Sequence, residues 1–386
     1  MCYGGPSENM RVLSVFAGTP SGEADWWRAE NLARLMESLG YDVEFLHYVR
    51  WRLGQRALIA NYSWNHILVG GLPITFHLKH LRILLKGHYD VVYANANIAA
   101  FYSALGRSIG VPLIFDMHGD VTDELLLYRE RKAFDPKLKC MRALWMTIDA
   151  VNFRMADAII CVSRSMMSYL NNKGVSMNKM YYVPNGVDLD FFKPPSRERV
   201  DTMKERLGLK NRMVFGYIGG SQKWQGTEIL VKVAEKCQDK DVGFLIVGTK
   251  ESRRLDNMLL LPWVKRKEVS DYYSACDVLV LPRPRCITTQ VAAPTKFAEY
   301  AAMGKPILAS DVGDPANLIR EYHCGIVVDR ADVENIASGV ETLKMMSPRE
   351  LEEMGRNSRK LAVEQFDWKR IAKEVEVCIE KSVNGP

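Results

Sequence analysis

The segment APTKFAEYAAMGKPILAS, Ala293 to Ser310, places Lys296 and Glu299 three residues apart near the start of a short helix that Pro294 opens and Gly304 ends. That spacing projects both side chains from one face, close to the positive end of the helix. It permits a local ion pair worth roughly 0.2–0.5 kcal/mol. It also permits a carboxylate that accepts two hydrogen bonds from ribose hydroxyls, with phosphate held at the same helix N-terminus. A second candidate is GGSQKWQG, where Gly219, Gly220 and Gly226 surround Lys223 between a strand and a helix. Small residues, one cation and a helix N-terminus make a phosphate cradle; a glycine-rich turn with a solvated lysine would look the same. A third is the turn AGTPSGEADWW, where Gly18 and Gly22 allow a close backbone approach to a ligand or simply a tight turn. The fourth is His118 in DMHGD, flanked by Asp116 and Asp120 at the end of the apolar run VPLIFDM.

These segments are positioned by short β-branched runs that alternate with helical periodicity. Arg11–Ala17 reads as a strand, followed by a helix over 23–39 with Gly40 as its stop. Further strands begin at Asp42, Asp90, Val111 and Asp157. They are nearly continuous apolar runs, as expected where helices cover both faces of a parallel sheet. KPPSRE (Lys193 to Glu198) interrupts the pattern as a linker. The pattern restarts with strands at Met213, Val242, Asp277, Lys305 and Gly325, and closes with an amphipathic helix from Asp367 to about Lys381 that packs back across the first domain. The expected architecture is α/β: two Rossmann-like, doubly wound parallel-sheet domains with a ligand cleft at their strand C-terminal ends. Residues 1–192 form the acceptor-side domain, 193–199 the linker, 200–366 the nucleotide-sugar-binding domain and 367–386 the returning helix.

Composition narrows the function class. With 386 residues, 47% hydrophobic and 25% charged, the chain is globular and too long for one core. A net charge of +6 suits an anionic small molecule or membrane surface and gives no reason to expect nucleic acid. The eight cysteines show no CxxC spacing and the seven histidines no helical ligand pair, so neither a metal site nor a disulfide framework is expected, and reduced thiols fit a cytoplasmic chain. No signal peptide is read at the N-terminus. The longest apolar stretch, Ile67 to Leu85, is broken by Pro73, His77, Lys79, His80 and Arg82, so it is not a membrane span.

Taken in order, ADAIICVSRSMMSYL (Ala156 to Leu170), VPNGVDLDFFKP (Val183 to Pro194), the glycine-rich turn, ACDVLVLPRP (Ala275 to Pro284), PTKFAEYAAMGKPILASDVG (Pro294 to Gly313), CGIVVD and QFDW resemble the retaining glycosyltransferases of family 4, also called glycosyl transferases group 1, which have the two-domain GT-B fold. The resemblance spans nearly the whole chain. It implies transfer of a sugar from a nucleoside-diphosphate sugar, UDP- or GDP-linked, to a hydroxyl of a glycan or lipid-linked acceptor, with no bound metal or other cofactor. Carried onto this chain it places Glu299 at the ribose, and Lys296 with the amides that follow Pro294, Thr295 among them, at the diphosphate. It places the Gly219–Lys223 turn under the same phosphates, His118 beside the donor sugar, and Gly18 to Gly22 at the cleft wall. Of these, His118, Lys223 and Glu299 are the expected catalytic residues.

Three positions depart from the family pattern. Gly220 and Gln225 stand where the glycine-rich turn commonly has Arg and Lys, and Val291 stands where the first of two glutamates is expected. Arg283 and Arg285 are candidates for the missing positive charge. The departures leave open a nucleotide-sugar 2-epimerase of the same architecture, or a relative that binds nucleotide sugar without turnover. Near the base, the loop around Trp263 and Val264 is the candidate. On the acceptor side, Arg50, Arg52 and Arg56 around Trp51, and Lys79, Arg82 and Lys86 beside Leu78, Leu81 and Leu85, are either a solvated helix surface or a peripheral contact with an anionic membrane. The helical stretch Asp120 to Arg154 would shape acceptor access.

Overall fold

A computed structural model describes residues 10–17, 24–49, 66–70, 73–128 and 136–384. Gly18, Gly22 and the Arg50–Arg56 segment lie outside the described residues. The chain divides into two compact units: residues 1–184 together with 369–386, and residues 185–368.

In the first unit the elements run β1 (Arg11–Ala17), α1 (Ala24–Ser38), β2 (Asp42–Val49), β3 (His66–Gly70), α2 (Pro73–Gly87), β4 (Val91–Asn95), α3 (Ala96–Arg107), β5 (Leu113–Met117), α4 (Val121–Tyr128), α5 (Pro136–Met155), β6 (Ala158–Cys161), α6 (Arg164–Asn172) and β7 (Met180–Tyr182). The sheet order is β3-β2-β1-β4-β5-β6-β7, parallel throughout. Chain order reverses between β1 and β4, which is where an open α/β sheet leaves a crevice for ligand. β4 and β5 are buried along their whole length, which explains their unbroken apolar sequences.

The second unit continues with α7 (Arg197–Arg206), β8 (Met213–Ile218), α8 (Thr227–Lys236), β9 (Val242–Val247), β10 (Arg253–Arg254), β11 (Met258–Leu261), α9 (Val269–Ser274), β12 (Val278–Leu281), α10 (Ile287–Val291), α11 (Thr295–Ala302), β13 (Ile307–Ser310), α12 (Gly313–Tyr322), β14 (Gly325–Val328), α13 (Val333–Lys344) and α14 (Pro348–Leu361). Its sheet order is β10-β11-β9-β8-β12-β13-β14, with only β10 antiparallel, and the reversal falls between β8 and β12. Alternation along β8 builds two cores, with Val214 and Ile218 in one and Phe215 and Tyr217 in the other. The last helix, α15 (Trp368–Asn384), groups from Lys369 onward with the first unit, burying Ile371, Ala372, Val375, Cys378 and Ile379.

The passage between units differs from the expected linker. Residues 185–192 group with the second unit, because Arg359 gathers the carbonyls of Phe192, Ala302 and Leu189 at 2.8, 2.7 and 3.1 Å, and the Val187 amide donates to Phe366. The segment after Pro195 runs directly into α7, which Ser196 caps. The sequence reading omits β3, β7, β10 and β11. β3 merges with the apolar run of the next helix, and β7 and β10 are too short for any alternation to show.

One backbone feature at the β4–α3 junction is testable. Ala96 has φ +68°, and of the four described non-glycine residues at positive φ it alone is neither Asn nor His. A methyl side chain offers nothing to offset that conformation. Ala96→Gly is expected to stabilise the first unit by about 1 kcal/mol, read as a higher denaturant midpoint with unchanged slope.

Candidate functional site

In the first unit the chemistry gathers where β5 ends. Asp116 is fully buried and receives Arg28 of α1 in a two-pronged pair, Nε to Oδ2 at 2.9 Å and Nη2 to Oδ1 at 3.1 Å. The same guanidinium donates to the carbonyls of Pro184 and Val183, each at 2.9 Å, and Tyr93 donates its hydroxyl to Asp116 at 3.0 Å. His118 then lies between two carboxylates, with Nδ1 3.1 Å from Asp25 Oδ1 and Nε2 3.5 Å from Asp116 Oδ2. Burial works against its charge, but Asp116 and Asp25 outweigh burial and hold the imidazole up to about 9. Burial likewise opposes the charge on Asp116, yet Arg28 and His118 keep it well below the usual carboxylate range.

Asp116 thus sits beside His118 as its neighbourhood in sequence promised. Asp120 does not: it accepts from Tyr169 Oη at 2.7 Å, from Lys173 Nζ at 3.0 Å and from the Asp123 amide, which draws it toward α4 and α6. Asp25, in the first turn of α1, takes the expected place. Its signal was present in GEADWW, a carboxylate where a helix N-terminus favours one.

In the second unit the candidate residues converge at the sheet reversal. Pro294 precedes α11, Thr295 opens it, and Lys296 leans back across the end of β8, so close that a Cβ on Gly219 would stand 2.6 Å from Lys296 Cε. Gly219 has φ +152°, which glycine accepts freely. Lys296 Nζ meets the Tyr217 hydroxyl at 3.0 Å and Gln225 Oε1 at 2.9 Å, and Tyr217 donates to the Gly220 carbonyl at 2.6 Å. These partners are uncharged. Burial and then the nearby Arg283 guanidinium push the amine down to about 7, with Glu299 opposing. Arg283 is itself buried just beyond β12, and Gly226 is required there because a Cβ would collide with the Pro282 carbonyl.

Glu299, one turn on, is buried at 4% exposure. Its two oxygens are held by Arg266, from the turn after Trp263, and by the Tyr273 hydroxyl at 2.6 Å. The local Lys296–Glu299 pair allowed by sequence is therefore not formed; the two side chains diverge, the lysine to β8 and the glutamate to α9. The structure brings Gly219, Gly220, Arg283, Pro294, Thr295, Lys296 and Glu299 into one region of this unit. Lys223 stands exposed on its turn, and the cation that the turn holds is Lys296, at Gln225. Arg285 turns away to Asp311, at 3.3 Å from Oδ2, because that carboxylate also gathers Arg320. Val291 is buried at the end of α10, and Trp263 is 69% exposed. Sequence reasoning missed Arg266, Tyr217, Tyr273 and Gln225. The tyrosines read as core residues of a strand and a helix, and nothing in spacing tied Arg266 to Glu299. Among the described residues no group of His, Cys, Asp and Glu is arranged to hold a metal ion.

The two shifted groups predict opposite pH dependences. His118 gains protons on folding, so its stabilisation is full below about 6.5 and fades as pH rises through about 9. Lys296 loses them, so the burden of burying it is full below about 7 and lifts toward 10.5. His118→Gln should cost roughly 1–3 kcal/mol at pH 6 and less at pH 10. Lys296→Met should be tolerated best at pH 6 and lose ground as pH rises. Denaturant titrations of both variants across pH 6–10 check the two slopes.

Two family models match the chain, Glycosyltransferase Family 4 over residues 21–191 and Glycosyl transferases group 1 over 212–344. Similar proteins include an MMP alpha-(1->4)-mannosyltransferase of Mycolicibacterium hassiacum, 24% identical over 81% of this chain and 75% of that one. A D-inositol 3-phosphate glycosyltransferase of Xylanimonas cellulosilytica is 27% identical over 46% of each chain. The Escherichia coli UDP-Gal:alpha-D-GlcNAc-diphosphoundecaprenol alpha-1,3-galactosyltransferase is 23% identical over 78% of each. Among solved structures, Anabaena HepE in complex with UDP superposes with a TM-score of 0.73 at 16% identity, covering 96% of this chain and all of that one. Sucrose-phosphate synthase from Thermosynechococcus elongatus gives 0.76 at 16% identity, covering 96% and 98%. Two family models in succession, laid over two doubly wound units of matching fold, make the chain a glycosyltransferase of family 4 with the GT-B architecture.

Proposed function

We propose that this glycosyltransferase is a retaining enzyme that moves a sugar from a UDP- or GDP-sugar to a hydroxyl of a glycan or lipid-linked acceptor. The observation that carries the reading is α11, which starts at the reversal of the second sheet with Lys296 on Gly219, Arg283 beside it and Glu299 buried one turn later. A helix N-terminus and two cations suit a diphosphate, and a buried carboxylate suits ribose. Glu299 has lone pairs left for two hydroxyls even with Arg266 and Tyr273 in place. Relatives whose names specify UDP-galactose and a diphosphoundecaprenol acceptor, or mannosyl transfer, support the donor and acceptor classes.

The chemistry follows from charge. As the bond from the anomeric carbon to the diphosphate breaks, the electron pair goes to the phosphate oxygen and the sugar becomes oxocarbenium-like, so stabilising the leaving group lowers the barrier. Lys296, Arg283 and the first amides of α11 supply that stabilisation, and we assign the reaction no metal ion. His118 is held as a cation, which unfits it as a base at neutral pH and suits it to donate hydrogen bonds to the sugar. Since Lys296 has only uncharged partners at Nζ, its amine takes up a proton when a diphosphate arrives. Calorimetric titration of nucleoside diphosphate at pH 8 in buffers of different ionisation enthalpy should show that uptake, and Lys296→Met should abolish it.

The test of the reading is incubation with UDP- and GDP-hexoses and polyprenyl-diphosphate sugars, with and without EDTA, and the product anomer read by NMR. An anomer matching the donor, formed in EDTA, is expected. An inverted product removes the retaining assignment, loss in EDTA removes the metal-free one, and epimerised donor formed without acceptor removes transfer itself.

A further inference from the structure

Helices α2, α3 and α5 form one layer of the first unit, with α3 packed against both of the others. Together they carry eight Lys or Arg and a single acidic residue, Asp149, which is buried. In the same unit α1 and α15 carry six basic and six acidic residues between them, so the bias belongs to this layer and not to the chain at large. The layer also exposes large apolar side chains: Leu78 and Leu85 of α2 at 69% and 59%, Leu105 and Ile109 at the end of α3, and Leu144 and Met146 of α5. On α2 the exposed positions are 78, 79, 82, 85 and 86, one continuous helical face that reads Leu, Lys, Arg, Leu, Lys.

A solvated helix surface has no reason to present leucines at that spacing between cations, whereas a bilayer interface rewards both at once. Apolar side chains enter the acyl boundary, and Lys and Arg stay at the headgroups with their stems buried. Among the described residues no helix is long and apolar enough to cross a membrane, so the contact such a face can make is peripheral. We propose that the outer face of α2, α3 and α5 docks on an anionic phospholipid bilayer. The charge pattern selects the lipid: cations without acidic neighbours gain about 1 kcal/mol each near an anionic surface and nothing near a zwitterionic one. The leucines distinguish this face from one built for a polyanion such as nucleic acid, which would leave them in water. This docking does not depend on the transfer chemistry and is measured without it.

The experiment is co-sedimentation of the full chain with vesicles of phosphatidylglycerol and phosphatidylcholine, against phosphatidylcholine alone, over a range of salt. Binding to the anionic vesicles only is expected. Lys79→Gln with Arg82→Gln and Lys86→Gln should weaken it roughly hundredfold, by the loss of three headgroup contacts. Leu78→Ser with Leu85→Ser should weaken it at high salt as well as low, since that contribution is not screened. All five positions are exposed, so both variants should keep the wild-type melting temperature. Equal binding to neutral vesicles, or anionic binding that survives both variants, overturns the proposal. So does a leucine variant that binds vesicles as wild type does, because a face that holds only through charge is a general polyanion surface.

Discussion

Replacing Asp116 by Asn should cost the first unit about 3–5 kcal/mol, because it strands the Arg28 guanidinium in a fully buried site. For a unit of this size that corresponds to a fall of about 10 °C in its melting transition. The loss is not what the pair itself contributes: Arg28 also serves the Val183 and Pro184 carbonyls, and its charge needs a counter-ion wherever it goes. The double variant Arg28→Met with Asp116→Asn should therefore lose much less than the two single variants combined, with a coupling above about 1 kcal/mol. A single Asp116→Asn protein that melts within 2 °C of wild type would show that the charge is not buried as described. The same substitution takes from His118 the nearer of two supports for its proton, so the imidazole should titrate lower, a shift visible by NMR.

Glu299→Gln should lower kcat/KM for the donor by about a hundredfold or more, as two charge-assisted hydrogen bonds to ribose become neutral ones. The glutamine keeps an oxygen for the Tyr273 hydroxyl, so the second unit should stay folded. Arg266→Ala is the control. Half of that guanidinium is exposed, and an ion pair so open contributes under about 1 kcal/mol, so the variant should melt near wild type. If Glu299→Gln reduced activity no more than Arg266→Ala does, the carboxylate would be a partner of Arg266 and not a ribose ligand.

The sequence showed most of what local rules decide. Continuous apolar runs marked the parallel strands, Pro294 and Gly304 framed α11, and the glycines of the Gly219–Gly226 turn announced a close approach that the structure fills with Lys296. What escaped was set by long-range packing. Arg266 reaches Glu299 across 33 positions and Arg28 reaches Asp116 across 88, and no periodicity links such pairs. Asp120 misled because adjacency in sequence at a strand end says nothing of which way a side chain is drawn, and Tyr169 and Lys173 on α6 drew it away. Lys223 misled because a turn's own lysine is the obvious cation there, whereas Gln225 and Tyr217 are shaped to receive one from α11. The edge strands β7 and β10 left no readable pattern because two or three residues cannot alternate.

Nucleoside-diphosphate binding by the second unit is the centre of this account, and a thermal-shift series with UDP, GDP, ADP and CMP on the wild type and Glu299→Gln tests it most directly. A ligand at a hundred times its dissociation constant adds about 2.7 kcal/mol to the folded state, a rise of several degrees for a unit of this size. The prediction is that UDP or GDP raises the wild-type transition by that much, that CMP does not, and that the Glu299→Gln protein responds weakly to the same concentration. Absence of any shift in the wild type, or an equal shift in both proteins, would contradict it.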